Sequence, residues 1–163
     1  MTTDAQRAAA AGIRDERRRW RDLVDAVGPA RLDEPGAMGE WTFGDLAAHL
    51  AGWREHRLRE LEAAARGEAA PGPPWPAGLE QDDDINDWIH RHQSGSVQDR
   101  IDAYDATFER LATAIEALPE ALATDPAAFE WMEGIAPVDG DWGSHLRDEH
   151  EPLVRSWLAG DPR

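Results

Sequence analysis

Apolar residues recur along this chain at helical spacing. Ile13, Trp20, Val24 and Val27 follow one another at seven, four and three residues, which predicts one stripe on a helix over about 3–27. Gly28-Pro29 stops it. Residues 28–40, with Pro35, Gly36 and Gly39, read as a connection. A second helix is predicted from Thr42 to Arg66, ended by Gly67, with Phe43, Leu46, Leu50, Trp53 and Leu61 on its inner face. Thr42 and Asp45 have the spacing of a capping box, so Asp45 reads as a cap and not a catalyst. Residues 67–81 are rich in Pro and Gly and read as loop, with Trp75 between two prolines as a plug on the bundle end in preference to a lid. Asp82, Asp83 and Asp84 then precede Ile85, Trp88, Ile89 and His92, the face of a short helix whose N-terminal end suits acids. The acids lack the alternation and the closing Glu of a calcium loop.

The third long helix is the plainest. Ser96 and Asp99 can form a capping box, and Val97, Ile101, Tyr104, Phe108, Leu111, Ile115 and Leu118 alternate four and three apart over about 97–117. Pro119 ends it. Residues 119–140 read mostly as loop, with Phe129, Trp131 and Met132 over one bundle end. A fourth helix is expected over 141–159, with Leu146, Leu153 and Trp157 inside. Pro152 has no N–H for the Asp148 carbonyl, so the ladder should bend or break there. With no hairpin signal, the pattern predicts an all-α four-helix bundle with one short extra helix, as a single domain over 1–163. Trp20, Leu46, Leu50, Trp53, Phe108, Leu111, Leu153 and Trp157 are expected to be buried together.

Composition narrows the function. The 163 residues suffice for one domain with a real core. The net charge of −16 argues against nucleic acid as a partner. Arg17, Arg18, Arg19 and Arg21 are mixed with acids and read as a solvated helix face. No apolar run is long enough to span a membrane. The first 20 residues hold no apolar signal core, so the expected setting is cytoplasmic. All 17 basic residues are Arg, which excludes Schiff-base lysine chemistry. With no Cys there is no protein thiol nucleophile, and thiol chemistry would need an external thiol. No G-x-S-x-G elbow supports a serine triad.

The candidate chemistry rests on histidine. His49 lies about 60° from the centre of its stripe, on the inner edge, where it suits a metal ligand or an ordinary buried histidine. His150 lies on the inner stripe of the fourth helix, about 40° from Leu146, with Glu149 at the edge and His145 about 100° off. His56 and His90 are expected at the surface. His92 falls on the apolar face of the short helix and could line the same pocket end.

The run Trp41-Thr42-Phe43-Gly44-Asp45-Leu46-Ala47-Ala48-His49-Leu50 resembles the entry to the second helix of the DinB-like superfamily. That group includes the mycothiol-dependent maleylpyruvate isomerase N-terminal domains and the ClbS/DfsB proteins. Asp84-Ile85-Asn86-Asp87-Trp88-Ile89 and Glu149-His150-Glu151-Pro152-Leu153 through Trp157-Leu158 resemble the ClbS/DfsB branch. The resemblance covers about Ala8 to Leu158. It implies the chain direction of the bundle and a metal held by one His on helix two and a His-x-x-x-His pair on helix four. His49 and His150 match the first and last positions. The middle position holds Leu146, and the nearest histidine, His145, is five residues before His150. On an ideal helix these two point about 140° apart. Three readings stay open: a π-bulge turns His145 inward, Glu149 supplies the third ligand, or no metal binds.

The resemblance implies a metal-dependent enzyme, a hydrolase or thiol transferase, acting on a small electrophilic molecule. Its divalent metal would be Zn, Ni or Fe, with a low-molecular-weight external thiol as co-substrate. The alternatives are a metal-free resistance protein that binds or hydrolyses a reactive metabolite, and a non-catalytic binding or dimerisation module. Relatives of this kind pair through a helix face, and the surplus of Trp leaves apolar area to cover, so a homodimer is a further expectation.

Overall fold

Three helices of the computed structural model, which describes residues 1–160, begin at a capping box. Thr3 and Gln6 open α1 (Asp4–Val27), Thr42 and Asp45 open α2 (Phe43–Ala65), and Ser96 and Asp99 open α4 (Val97–Ala117). In each, the hydroxyl accepts an otherwise orphaned N–H and the longer side chain accepts the N–H of the cap residue. The short α3 (Asp82–His92) carries its three aspartates in the first turn, as the macrodipole favours. A small helix, α5 (Glu120–Ala123), and two tight turns fill the stretch before the fourth arm. The expected span of 1–163 includes positions 161–163, which lie outside the described residues.

The architecture is all-α, with one exception to the sequence expectation. β1 (Pro35–Met38) pairs antiparallel with β2 (Trp41–Thr42) in the connection that was expected to hold no hairpin. Its two-residue turn starts at Gly39 with φ of 62°, a conformation that such a turn requires and glycine adopts without strain. The ribbon leads directly into the Thr42 cap, so it sets where α2 begins.

α4 is the middle of the bundle and packs against both α1 and α2. Trp20, at 0% exposure, stacks on Phe43 with ring centroids 5.1 Å apart and meets the edge of Tyr104 at 4.8 Å. Leu46, Leu50, Phe108 and Leu111 are buried with it. Trp53 is not part of this core. It joins Trp75, Ile85 and Ile89 in a separate cluster between α2, α3 and the 67–81 loop. Trp75 is buried there against Trp53 and His56, so it plugs. Arg18, Arg19 and Arg21 are exposed, as expected, while Arg17 is partly buried; Arg17 and Arg21 also reach across to the neighbouring helix. Both bind Asp105 on α4, at 2.6 and 2.8 Å, and tie the two helices together. No helix among the described residues is long and apolar enough to cross a membrane.

The fourth arm departs most from expectation. An irregular turn runs through Ser144, a π-helical turn spans His145–His150, and α6 covers Glu151–Ala159. The Glu151 N–H donates to the carbonyl of Leu146, five residues back. The Pro152 ring would crowd the carbonyl four residues before it, and a wider turn relieves that contact. The turn contains one extra residue, so every later side chain moves on by one place. Val154 is accordingly buried at 0% exposure, while Leu153, expected inside, is 45% exposed. Trp157 is only partly buried and packs against the core from its edge.

Candidate metal centre

His49 lies in the first half of α2, about two turns past the Thr42 cap, with one edge against Trp41 at 5.9 Å between ring centroids. His145 and His150 are the first and last residues of the π turn. In a turn with i→i+5 bonding, residues five apart share a face, as residues four apart do in an α-helix. The spacing that would separate these two rings by about 140° on an α-helix therefore places them together. His145 Nε2 stands 3.3 Å from His49 Nε2 and 3.0 Å from His150 Nε2. One nitrogen from each of the three rings lies within 4.8 Å of the others.

These distances fit a shared cation. Two ligands of a tetrahedral ion at ~2.0–2.1 Å stand about 3.3–3.4 Å apart. Hydrogen bonding alone cannot satisfy the group. A ring nitrogen of a neutral imidazole has either one N–H or one lone pair, so His145 Nε2 could make one full hydrogen bond, as donor or acceptor, and not two. With the protons on Nδ1, three lone pairs face one centre.

The surroundings keep the rings neutral. Burial pulls His49 down to about 3, and the neighbouring His150 and His145 add to the shift, while the Asn86 side chain opposes it. Asn86 acts beyond strict hydrogen-bond geometry, since His49 Nδ1 has no partner that meets it. Burial, with His145 next, brings His150 down to about 4. His145 is lowered by burial too, with Glu149 pulling upward and Arg54 downward.

A group whose folded pKa lies below its unfolded value of ~6.5 takes up its proton more readily when unfolded. The metal-free chain should therefore be most stable above about pH 6.5 and lose stability as pH falls toward 4 and then 3. The depressed carboxylates Asp45 and Asp105 act only below their ordinary value of 3.8, so the window from pH 6.5 to 5 belongs to histidine. Urea unfolding at pH 7 and pH 5 should show a lower midpoint at pH 5, and the double variant His49→Gln/His150→Gln should narrow the difference, with His145 and His56, also depressed by burial, keeping part of it. Equal midpoints for the unaltered chain would refute this.

Glu149 stands outside the nitrogen cluster. Its side chain is 65% exposed, and its carboxylate lies 3.9 Å from His145 Nδ1, the atom turned away from the cluster. The other histidines are elsewhere. His56, expected at the surface, is 9% exposed, because Trp75 covers it at 4.9 Å while Glu60 meets its Nε2 at 3.2 Å. His90, also expected in solvent, stacks on Trp41 at 4.8 Å and is half-buried. His92 is exposed and stacks on Trp88, beside a separate groove of about 270 Å³ that contains none of the three clustered rings. The histidine cluster instead borders a pocket of about 670 Å³, lined by His145.

Two residues at the site escaped sequence reasoning. Asn86 accepts from the Trp53 indole at 2.7 Å and sits beside His49. Arg54 lines the pocket. A signal for Arg54 was present: it lies four residues after Leu50 and four before Leu58, on the inner stripe of α2.

Among known proteins, the family model described as the DinB superfamily matches residues 13–149. No curated protein and no solved structure gives a match.

Proposed function

The chain belongs to the DinB superfamily, and on that premise we propose that His49, His145 and His150 hold a divalent metal ion in an enzyme that acts on a small electrophilic molecule. The observation that carries the reading is the convergence of three Nε2 atoms at 3.0 and 3.3 Å, where the shared His145 Nε2 has one N–H or one lone pair to offer two neighbours. Three protein ligands leave coordination positions open to a reactant, the arrangement of catalytic and not structural sites. When bound, the ion supplies Lewis acidity and favours the deprotonated form of a water or thiol beside it. Zn, Ni and Fe all accept imidazole, and geometry and supply choose among them.

The protein's own groups have defined tasks. Burial keeps His49 and His150 neutral, so their lone pairs stay available for a metal near pH 7. Asn86, whose oxygen is held by the Trp53 indole, lies beside His49 and opposes the fall in its pKa. Glu149 does the same for His145 from the solvent side. Since the chain has no Cys, a thiol nucleophile would have to be an external small molecule. Thiol transfer and hydrolysis thus differ only in which nucleophile enters the pocket.

The test has two parts. Chelator-treated chain should take up about one equivalent of Zn²⁺ or Ni²⁺ in calorimetry. The loaded protein should then consume 1-chloro-2,4-dinitrobenzene with a low-molecular-weight thiol, or 4-nitrophenyl acetate without one. The first outcome makes it a thiol transferase, the second a hydrolase. No heat from either ion would overturn the metal reading and leave a metal-free resistance protein or a non-catalytic module. A homodimer through a helix face belongs to the same reading, and a clean 18.1 kDa species in sedimentation at high concentration would remove it.

A further inference from the structure

Arg54 is a partly buried cation with no carboxylate within ion-pair distance among the described residues. Its guanidinium carbon lies over the rings of Tyr104 and Phe108, 4.6 and 4.1 Å from their centroids. Nη2 donates to the Trp142 carbonyl at 2.9 Å, and Nη1 is shielded from solvent with no partner. Arg17, Arg57, Arg100, Arg110 and Arg147 each have a carboxylate within ion-pair distance. Among the described residues none reaches Arg54. Glu16 acts on it only from further off: its Oε1 is taken by Arg147 at 3.2 Å, and its Oε2 is shielded, 3.7 Å from Arg19 Nε and with no hydrogen-bond partner. The Tyr104 hydroxyl is also shielded and unpartnered. A charge partly withdrawn from water without a partner is costly, and a chain with 33 acidic residues could readily have supplied one.

Arg54 shares one pocket with His145. The pocket holds about 670 Å³, within the usual range for small-molecule sites, and Trp53, Trp131 and Trp142 line it. Indole faces favour a flat, unsaturated body. The acids that also border it are not equivalent to Arg54. Asp82, Glu133 and Glu149 are exposed, and Asp141 is held by Arg147 at 2.5 Å. Charges in water are strongly screened, so these acids oppose a second negative end on a ligand more than they oppose one at depth.

We infer that this pocket binds a small molecule with one carboxylate and a flat unsaturated body, the carboxylate paired with Arg54 and the reactive end toward His145. The inference rests on the reading of the histidine cluster as the reactive centre. A guanidinium fork matches a carboxylate with two parallel hydrogen bonds, which a neutral amide cannot copy. Either reactant, the electrophile or an external thiol, could carry the carboxylate.

Calorimetry on chelator-treated chain tests this without a metal. Cinnamate should bind at least about tenfold more tightly than cinnamamide, the scale of one charged hydrogen bond. Arg54→Gln should bring the two to equal affinity, Arg54→Lys should keep part of the preference, and Arg57→Gln should keep all of it. If Arg54→Gln does not fold, the acid–amide ratio of the unaltered chain and of Arg54→Lys decides. 3-Sulfanylpropanoate against 2-sulfanylethanol asks the same of the thiol, and the tighter acid identifies which reactant bears the charge. Equal binding of the acid and its neutral counterpart in both pairs, no binding of either acid, or a preference that survives in folded Arg54→Gln would overturn the inference. Its failure with metal uptake intact leaves the metal centre standing. Failure of metal uptake with the acid preference intact leaves Arg54 as an anion site.

Discussion

Replacing any one of the three clustered histidines by alanine is expected to lower Zn²⁺ affinity by more than about a hundredfold, beyond the 10–100-fold typical of an outer-shell partner. Two nitrogens cannot replace three, and no other group waits at the centre, since Glu149 lies on the far side of His145. Glu149→Gln should therefore cost far less than His145→Ala. The π turn yields a sharper comparison. Deleting Asp148, which is exposed and whose side chain bonds only Arg147, would leave His145 and His150 four apart in an α-helical turn. That is the same face by another route, so the deletion should keep metal uptake. Calorimetry on each variant, with circular dichroism to confirm folding, reads the result. A folded deletion variant that no longer takes up metal, or a His145→Ala that still does, would refute this account of the site.

Trp20→Ala should cost the fold about 3–5 kcal/mol, as large-to-small changes in a packed core do. Trp20 is fully buried between α1, α2 and α4 and touches both Phe43 and Tyr104. Its indole N–H has no partner, so Trp20→Phe should recover much of the loss, since it keeps ring packing and removes an unsatisfied donor. Leu153→Ala is the control. The bundle pattern places Leu153 inside, but the π turn leaves it 45% exposed. Its loss should stay within about 0.5 kcal/mol, the scale of an ordinary surface change. Urea unfolding midpoints decide, and a Leu153→Ala cost like that of Trp20→Ala would put α6 in the wrong register.

Local chemistry was legible in the sequence wherever it acts over a few residues. The Thr42–Asp45 and Ser96–Asp99 boxes satisfy helix N–H groups within one turn, so spacing alone locates the starts of α2 and α4. The seven apolar positions from Val97 to Leu118 place α4, because a regular helix carries its period for its whole length. His49 was legible as an inward residue for the same reason. The absence of Cys and Lys narrowed the chemistry without reference to any fold.

What the sequence left open depends on contacts far along the chain or on broken regularity. The three readings of the fourth long helix (a π-bulge that turns His145 inward, Glu149 as third ligand, or no metal) turned on whether the turn between His145 and His150 is regular. Spacing at 100° per residue assumes that it is. A single extra residue in the turn moved His145 inward, Leu153 outward and Val154 into the core at once. The small ribbon at Pro35–Thr42 escaped because two short strands carry too few residues for a period. His56 and His90 were assigned to the surface from their own helices, but Trp75 and Trp41, which cover them, come from elsewhere in the chain. The unpaired charge of Arg54 depends on every carboxylate around it, and those come from several elements. The sequence by itself determined which residues face inward where the helices are regular, because that is set by neighbours three and four places away. Which inward-facing groups meet, and which are left without a partner, was decided only by the packing of distant segments.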